Sequence, residues 1–137
     1  MNDIIQKLKG VFGKDAPSTK TQGKVHEYLS MNIDFSETGK VKFTVVDYIK
    51  EMLEELPEDM NGTAPTPAAS HLFDVNKAAE TLPDHLADLY HHNTAKLLFL
   101  CKRARPDLQT AVAFLCTRVK KPDVDDYKKL CQTMRYL

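Results

Sequence analysis

The chain has 137 residues, 42% hydrophobic and 28% charged, which suits one domain or part of a larger protein and excludes a globally disordered polymer. No apolar run approaches the ~20 residues that cross a bilayer, and the start, MNDIIQKLKGVFGKD, lacks the unbroken apolar core of a secretory signal; an intracellular protein, cytoplasmic or nuclear and without membrane contact, is expected. Basic and acidic residues number 19 each, but Met1–Ala95 holds 9 basic and 15 acidic residues while Lys96–Leu137 holds 10 and 4, so the last third fits either contact with a phosphate backbone or charge balance within the chain.

Along the chain, Ile4, Ile5, Leu8, Val11 and Phe12 recur at helical spacing, with Asn2 or Asp3 to cap the start and Gly13 to end it, so residues 2–12 are expected as a helix. Lys14–Lys24 is a polar loop. Period-two alternation then places Val25, Leu29, Met31, Ile33 and Phe35 on one face and His26, Tyr28, Ser30, Asn32 and Asp34 on the other, as in a strand with one buried face. Ser36-Glu37-Thr38-Gly39 is a turn, and Val41 with Phe43 begins a return strand, which together predict a β-hairpin.

Helical spacing returns with Tyr48, Ile49, Met52, Leu53 and Leu56, and Pro57 stops it. Residues 57–82 read as a proline-containing connector, longer than most connections inside a compact domain, with room for a short helical turn near 75–80. A helix is expected from Pro83 to about Arg103. Leu108, Ala111, Val112, Leu115, Cys116 and Val119 form a second stripe, and Tyr127, Leu130, Cys131, Met134 and Leu137 a third, separated by Pro106 and Pro122. The fold class expected is α+β: an N-terminal helix, one β-hairpin, then a predominantly helical bundle. Residues 1–44 make the first unit and residues 45–137 the second.

The chemistry is sparse. Cys101, Cys116 and Cys131 contain no CxxC pair, and a zinc site needs about four converging ligands, so free, buried or partly buried thiols are expected. His91 and His92 point about 100° apart on a helix and do not chelate one ion. No glycine-rich phosphate loop occurs, and no serine has an identifiable base. Asp125-Asp126 looks like a metal-binding dyad, yet Pro122 precedes it and a helical stripe follows. Asp123, Asp125 and Asp126 fit a helix start, where carboxylates offset the positive end. No catalytic residue and no metal ligand is assigned. Lys102, Arg103 and Arg105 end a helix, a position whose negative pole favours cations; that structural role outweighs phosphate contact, which stays the competing reading.

Several stretches occur in an order that resembles one family. Tyr28-Leu29-Ser30 with Ile33 resembles a "YLG-x-x-I" strand, Tyr48-Ile49 with Leu53 a "YI-x-x-x-L" helix, Thr66-Pro67 a "TP" pair, Arg103-Ala104-Arg105-Pro106-Asp107 a "TRPDI" helix end, and Arg135-Tyr136-Leu137 a closing "RYL". The family is that of copia-like retrotransposon reverse transcriptases, and the resemblance covers about Val25 to Leu137. It implies a truncated palm with a primer-grip-like hairpin, followed by thumb-like and connection-like helices. It implies an RNA-directed DNA polymerase as the parent, with a chain that begins after the catalytic Asp-Asp hairpin and stops before the RNase H domain. Mg²⁺ then belongs only to the intact parent, and this piece needs no cofactor. The expected partners are an RNA/DNA primer–template, bound weakly through its backbone, the palm, fingers and RNase H parts of the parent polyprotein, and further copies of the chain. The nucleic-acid-binding candidates are His26, Tyr28, Leu29, Ser30, Lys102, Arg103 and Arg105. Ser30 stands where the family has glycine, and Ala104 where it has threonine. A helical interaction module without nucleic-acid function, or a retroelement remnant with none, is the alternative.

Overall fold

A computed structural model describes residues 2–13 and 20–137. The elements, in order, are α1 (Asn2–Phe12), β1 (Val25–Tyr28), β2 (Met31–Asp34), β3 (Lys42–Thr44), α2 (Val46–Glu54), α3 (Asp84–Arg103), α4 (Gln109–Arg118) and α5 (Val124–Tyr136). Single 3₁₀ turns lie at Glu58–Met60 and Pro106–Leu108. The class is α+β, as the sequence pattern implies. The part of the Lys14–Lys24 loop from Lys14 to Thr19 lies outside the described residues.

The N-terminal half departs from expectation in one respect. The alternation from Val25 to Phe35 is not one strand. It folds back at Leu29-Ser30, and β1 pairs antiparallel with β2 in the register Tyr28↔Met31, His26↔Ile33. β3 then adds to the far edge of β2 through Ile33↔Phe43, giving a three-stranded meander. A two-residue turn favours positive φ at both positions, because that twist matches the strands it joins. Leu29 and Ser30 have φ of 50° and 57°. The turn also breaks the expected faces, since opposed residues share a face: Tyr28 lies beside Met31 and His26 beside Ile33. Val25, Leu29 and Phe35 are accordingly exposed, at 58%, 54% and 49%.

A side chain in the left-handed region costs roughly 1 kcal/mol or more relative to glycine or asparagine. Replacing Leu29→Asn together with Ser30→Gly should therefore stabilise the hairpin by about 1 kcal/mol. Amide hydrogen exchange across β1 and β2 should slow several-fold, and unchanged exchange would show that the turn is not in this conformation.

The core belongs to the helices. Leu97 and Leu100 of α3, Val112 and Leu115 of α4 and Leu130 of α5 have no solvent exposure, and Met52 of α2 and Met134 of α5 have 1%. Met52, Val112, Leu115, Leu130 and Met134 belong to the stripes read in the sequence, Leu97 and Leu100 join them from α3, and their burial is what stabilises the three-helix unit. Pro83 stands just before α3, where its carbonyl accepts from the amides of Leu86 and Ala87 at 3.0 and 2.9 Å. Tyr90 crosses from α3 to α4 and donates its hydroxyl to the Leu115 carbonyl at 3.0 Å. The sheet meets the bundle through buried Val45, partly buried Met31 and the Asn32 amide, which donates to Asp47 at 2.9 Å.

The connector is not a free loop. It runs along α5 as a strap. The Ala64 amide donates to the Arg135 carbonyl at 2.9 Å. Gln132 donates to the Thr66 carbonyl and Thr133 to the Pro67 carbonyl, each at 2.9 Å. A bridge between Thr81 and Asp123 closes its far end. Near 75–80 there is a hydrogen-bonded turn, with the Ala79 amide donating to the Asn76 carbonyl at 3.1 Å, and no helix. By contrast α1 keeps an uncovered apolar stripe: Ile4, Leu8, Val11 and Phe12 are 63%, 50%, 69% and 58% exposed.

Candidate nucleic-acid interface

Asp123 caps α5. Its carboxylate accepts from the amides of Asp125 and Asp126, both at 2.9 Å, while Asp126 returns a bond to the Asp123 amide at 3.1 Å. This reciprocal box satisfies the free amides of a helix start. Asp126 is 2% exposed, and Arg118 Nε reaches both its carboxylate oxygens, at 3.1 and 2.9 Å. The dyad-like pair is thus a cap and an ion pair, as its setting in the sequence implies. Among the described residues no group of three or more His, Cys, Asp or Glu is placed to hold a metal ion. Cys101, Cys116 and Cys131 are free, the first and last buried; burial pushes the Cys131 thiol up to about 11, and Cys116 also upward, so both thiols stay protonated near neutrality.

The hairpin candidates surround the β1–β2 turn. The His26 ring is engaged by its own loop: Nε2 lies 2.9 Å from the Gly23 carbonyl and Nδ1 3.3 Å from the Thr21 hydroxyl. Tyr28 and Leu29 project into solvent at 60% and 54% exposure. Ser30 belongs to a turn and not to a strand. It opens onto a cleft of about 250 Å³ lined by Glu27, Asn32, Asp47, Tyr48 and Glu51. Three carboxylates around that cleft repel phosphate, so the geometry disfavours Ser30 as a phosphate contact.

The helix-end candidates separate. Arg103 lies over the Phe99 ring at 3.9 Å in a cation–π contact, and Lys102 is exposed beside it; among the described residues neither makes an ion pair. Arg105 is committed elsewhere. It grips Asp107 in a fork, Nε and Nη2 reaching Oδ2 at 3.2 and 2.8 Å, and it sits 5.2 Å over the Tyr136 ring. Arg105 is therefore a structural clamp around Pro106. Tyr48 links the two candidate groups: it shares the cleft with Ser30, and its ring packs tilted against Phe99, with centroids 4.9 Å apart. Burial pushes its phenol upward, with Arg103 pulling the other way.

Arg105 beside Asp107 holds that carboxyl below the usual range; Lys128 and Asn76 do the same for Asp125, and Lys96 for Glu55. Each folded value is below the unfolded one. Their stabilisation is present above the unfolded values and is lost as pH falls through the folded ones. The urea midpoint should decline as pH is lowered through about 4, and a midpoint that rises there would contradict these pairings.

A second basic region was not apparent in the sequence. Lys128, Lys129, Gln132 and Arg135 of α5 line a cleft with His71, Leu72, Ala68 and Ala69 of the strap. The adjacent Lys128-Lys129 was a signal, but the strap that turns that helix face into a cleft has no pattern of its own.

Among known proteins, the chain is 29% identical over 122 residues to a putative transposon Ty5-1 protein of Saccharomyces cerevisiae. The similarity is to a transposon protein. It covers 88% of this chain but 38% of the relative, so the chain spans well under half the length of the curated protein it matches. No family model matches, and no solved structure does. No helix among the described residues is long and apolar enough to cross a membrane.

Proposed function

We propose that this transposon-related chain derives from a copia-like reverse transcriptase, corresponding to the primer-grip-like and thumb-like part, and that it retains weak, backbone-mediated binding to primer–template without catalysing synthesis. The observation that carries the reading is the ordered set of resembling stretches, taken with the transposon relative. Most of these stretches make tertiary contacts: Tyr48 on Phe99, the Thr66 and Pro67 carbonyls on α5, and Arg105 on Tyr136 of the closing Arg-Tyr-Leu. Residues of this kind support a shared fold.

Polymerisation needs carboxylates converging on two metal ions. Asp125 and Asp126 do not fit that task, because one caps into Arg118 and the other pairs with Lys128 at 3.0 Å. Phosphate contact remains open to Lys102 and Arg103.

Binding to a short RNA–DNA primer–template should weaken as salt rises, since each phosphate contact releases condensed counterions. Reversing both charges, Lys102→Glu with Arg103→Glu, should lower affinity at least tenfold and flatten the salt dependence by about two units of slope. Arg105 is left intact because its reversal would break the clamp on Asp107. Affinity independent of salt between 50 and 200 mM (about a Debye-length change of twofold) would refute the phosphate reading.

The exposed apolar stripe of α1, with Phe43 58% exposed on the sheet, favours a second reading. These surfaces suit an interaction module, or the palm and fingers parts of the parent polyprotein. Under the module reading the same charge reversal leaves partner binding intact.

A further inference from the structure

Ten cations fall between Lys96 and Leu137. Four are paired with carboxylates: Lys96 with Glu55, Arg105 with Asp107, Arg118 with Asp123 and Asp126, and Lys128 with Asp125. Lys129 differs from all of these. It is 7% exposed, and among the described residues it makes no ion pair. Its ammonium donates to the Asp74 carbonyl and lies 4.6 Å from the centre of the Phe114 ring. Its direct contacts are a carbonyl and a ring face, with the Asp125 carboxylate attracting it from further off, so a buried cation here is only partly compensated.

Lys129 opens onto the α5–strap cleft, of about 240 Å³, whose lining contains Lys128, Gln132, Arg135 and His71 and no carboxylate. Arg135 spends two donors on the carbonyls of Asn61 and Asp59 and has further N–H groups left. The adjoining cleft shares Lys128 and Lys129 but adds Asp74 and Asp125, which bounds the favourable region on that side.

We propose that this cleft is an oxyanion site that takes a backbone phosphate of nucleic acid, with Lys129 at its floor and Lys128 at its rim. The chemistry is charge-assisted hydrogen bonding to a phosphate oxygen. No Phe, Tyr or Trp lines the cleft, so it offers a base no ring to stack on. The choice of nucleic acid as the phosphate source rests on the proposed function; the oxyanion site does not.

The test is two titrations of the whole chain followed by amide NMR, one with inorganic phosphate and one with a short RNA–DNA duplex. Wild type is compared with Lys129→Met, which keeps the stem, with Lys128→Glu on the 70%-exposed side chain at the rim, and with the Lys102/Arg103 double reversal. The expected result is that phosphate shifts the amides of Ala68, His71 and Gln132. Lys129→Met and Lys128→Glu should each weaken the duplex about tenfold, the size of one lost phosphate contact near 0.1 M salt. Should Lys129→Met fail to fold, Lys128→Glu still reports on the cleft. Phosphate shifts at the cleft with no duplex bound by any protein overturn the nucleic-acid assignment and the proposed function, and leave an oxyanion site for another phosphorylated ligand. Absence of phosphate shifts, with duplex affinity lost only in the Lys102/Arg103 variant, overturns the cleft and leaves the proposed function intact.

Discussion

Asp126→Ala should destabilise the protein by about 2–3 kcal/mol, the range expected for breaking a largely buried ion pair whose remaining partner keeps some compensation. Asp126 is 2% exposed, holds Arg118 through both oxygens, and closes the capping box on the Asp123 amide. Arg118 retains Asp123 at 3.2 Å and is about a quarter exposed, which keeps the loss below that of a stranded charge. A melting temperature lower by several degrees is the expected readout. Asp125→Ala, which removes a largely solvent-screened pair with Lys128, a bond from Asn76 and a longer-range attraction to Lys129, should change stability less than Asp126→Ala. The contrast bears on function. Carboxylates gathered for metal binding repel one another, so removing either would raise stability and abolish Mg²⁺ binding. A stabilising Asp126→Ala, with Mg²⁺ binding lost, would restore the dyad that the capping geometry rejects.

Much of the helical half was legible because its signals are local. Leu108, Val112 and Leu115 repeat at helical spacing and are buried at that spacing, and Asp123 stands where a cap must stand after Pro122. The sheet was less legible because period two reports alternation and says nothing of direction. A chain that turns at Leu29-Ser30 keeps the same alternating pattern but exchanges which residues meet across the strands. Neither Leu29 nor Ser30 carries the Asn-Gly signature of a two-residue turn; the resembling family's glycine at the Ser30 position was the clue, since a φ of 57° is where glycine is at ease. The strap was illegible for another reason: it is held by backbone carbonyls accepting from α5 side chains, and a carbonyl carries no sequence signature. For the candidate site, residue type marked the cations, while three-dimensional neighbours decided their use. Arg105 turned inward to Asp107 and Tyr136, Arg103 stayed available, and Lys129 became buried under a segment that reads as a linker.

The same strap gives the second large effect. Arg135→Ala should loosen residues 57–82 by about 2 kcal/mol, since Nε and Nη2 donate to the carbonyls of Asn61 and Asp59 at 3.0 and 2.6 Å and charge-assisted bonds of this kind are worth roughly 1.5–3 kcal/mol each before local relaxation. Gly62 sharpens the expectation. Its φ is 126°, and a Cβ placed there would lie 3.6 Å from the Arg135 stem, in contact but without overlap. The obstacle to a side chain at Gly62 is therefore the backbone conformation and not the space. Gly62→Ala should loosen the same segment while leaving the arginine in place. Limited proteolysis separates local from global effects: with either substitution, cleavage between Pro57 and Leu82 should accelerate at least tenfold while Leu97, Leu115 and Leu130 keep the helical core protected. Uniform acceleration across α3, α4 and α5 would mean instead that the strap and the bundle unfold as one unit, and that Arg135 contributes to the stability of the whole chain.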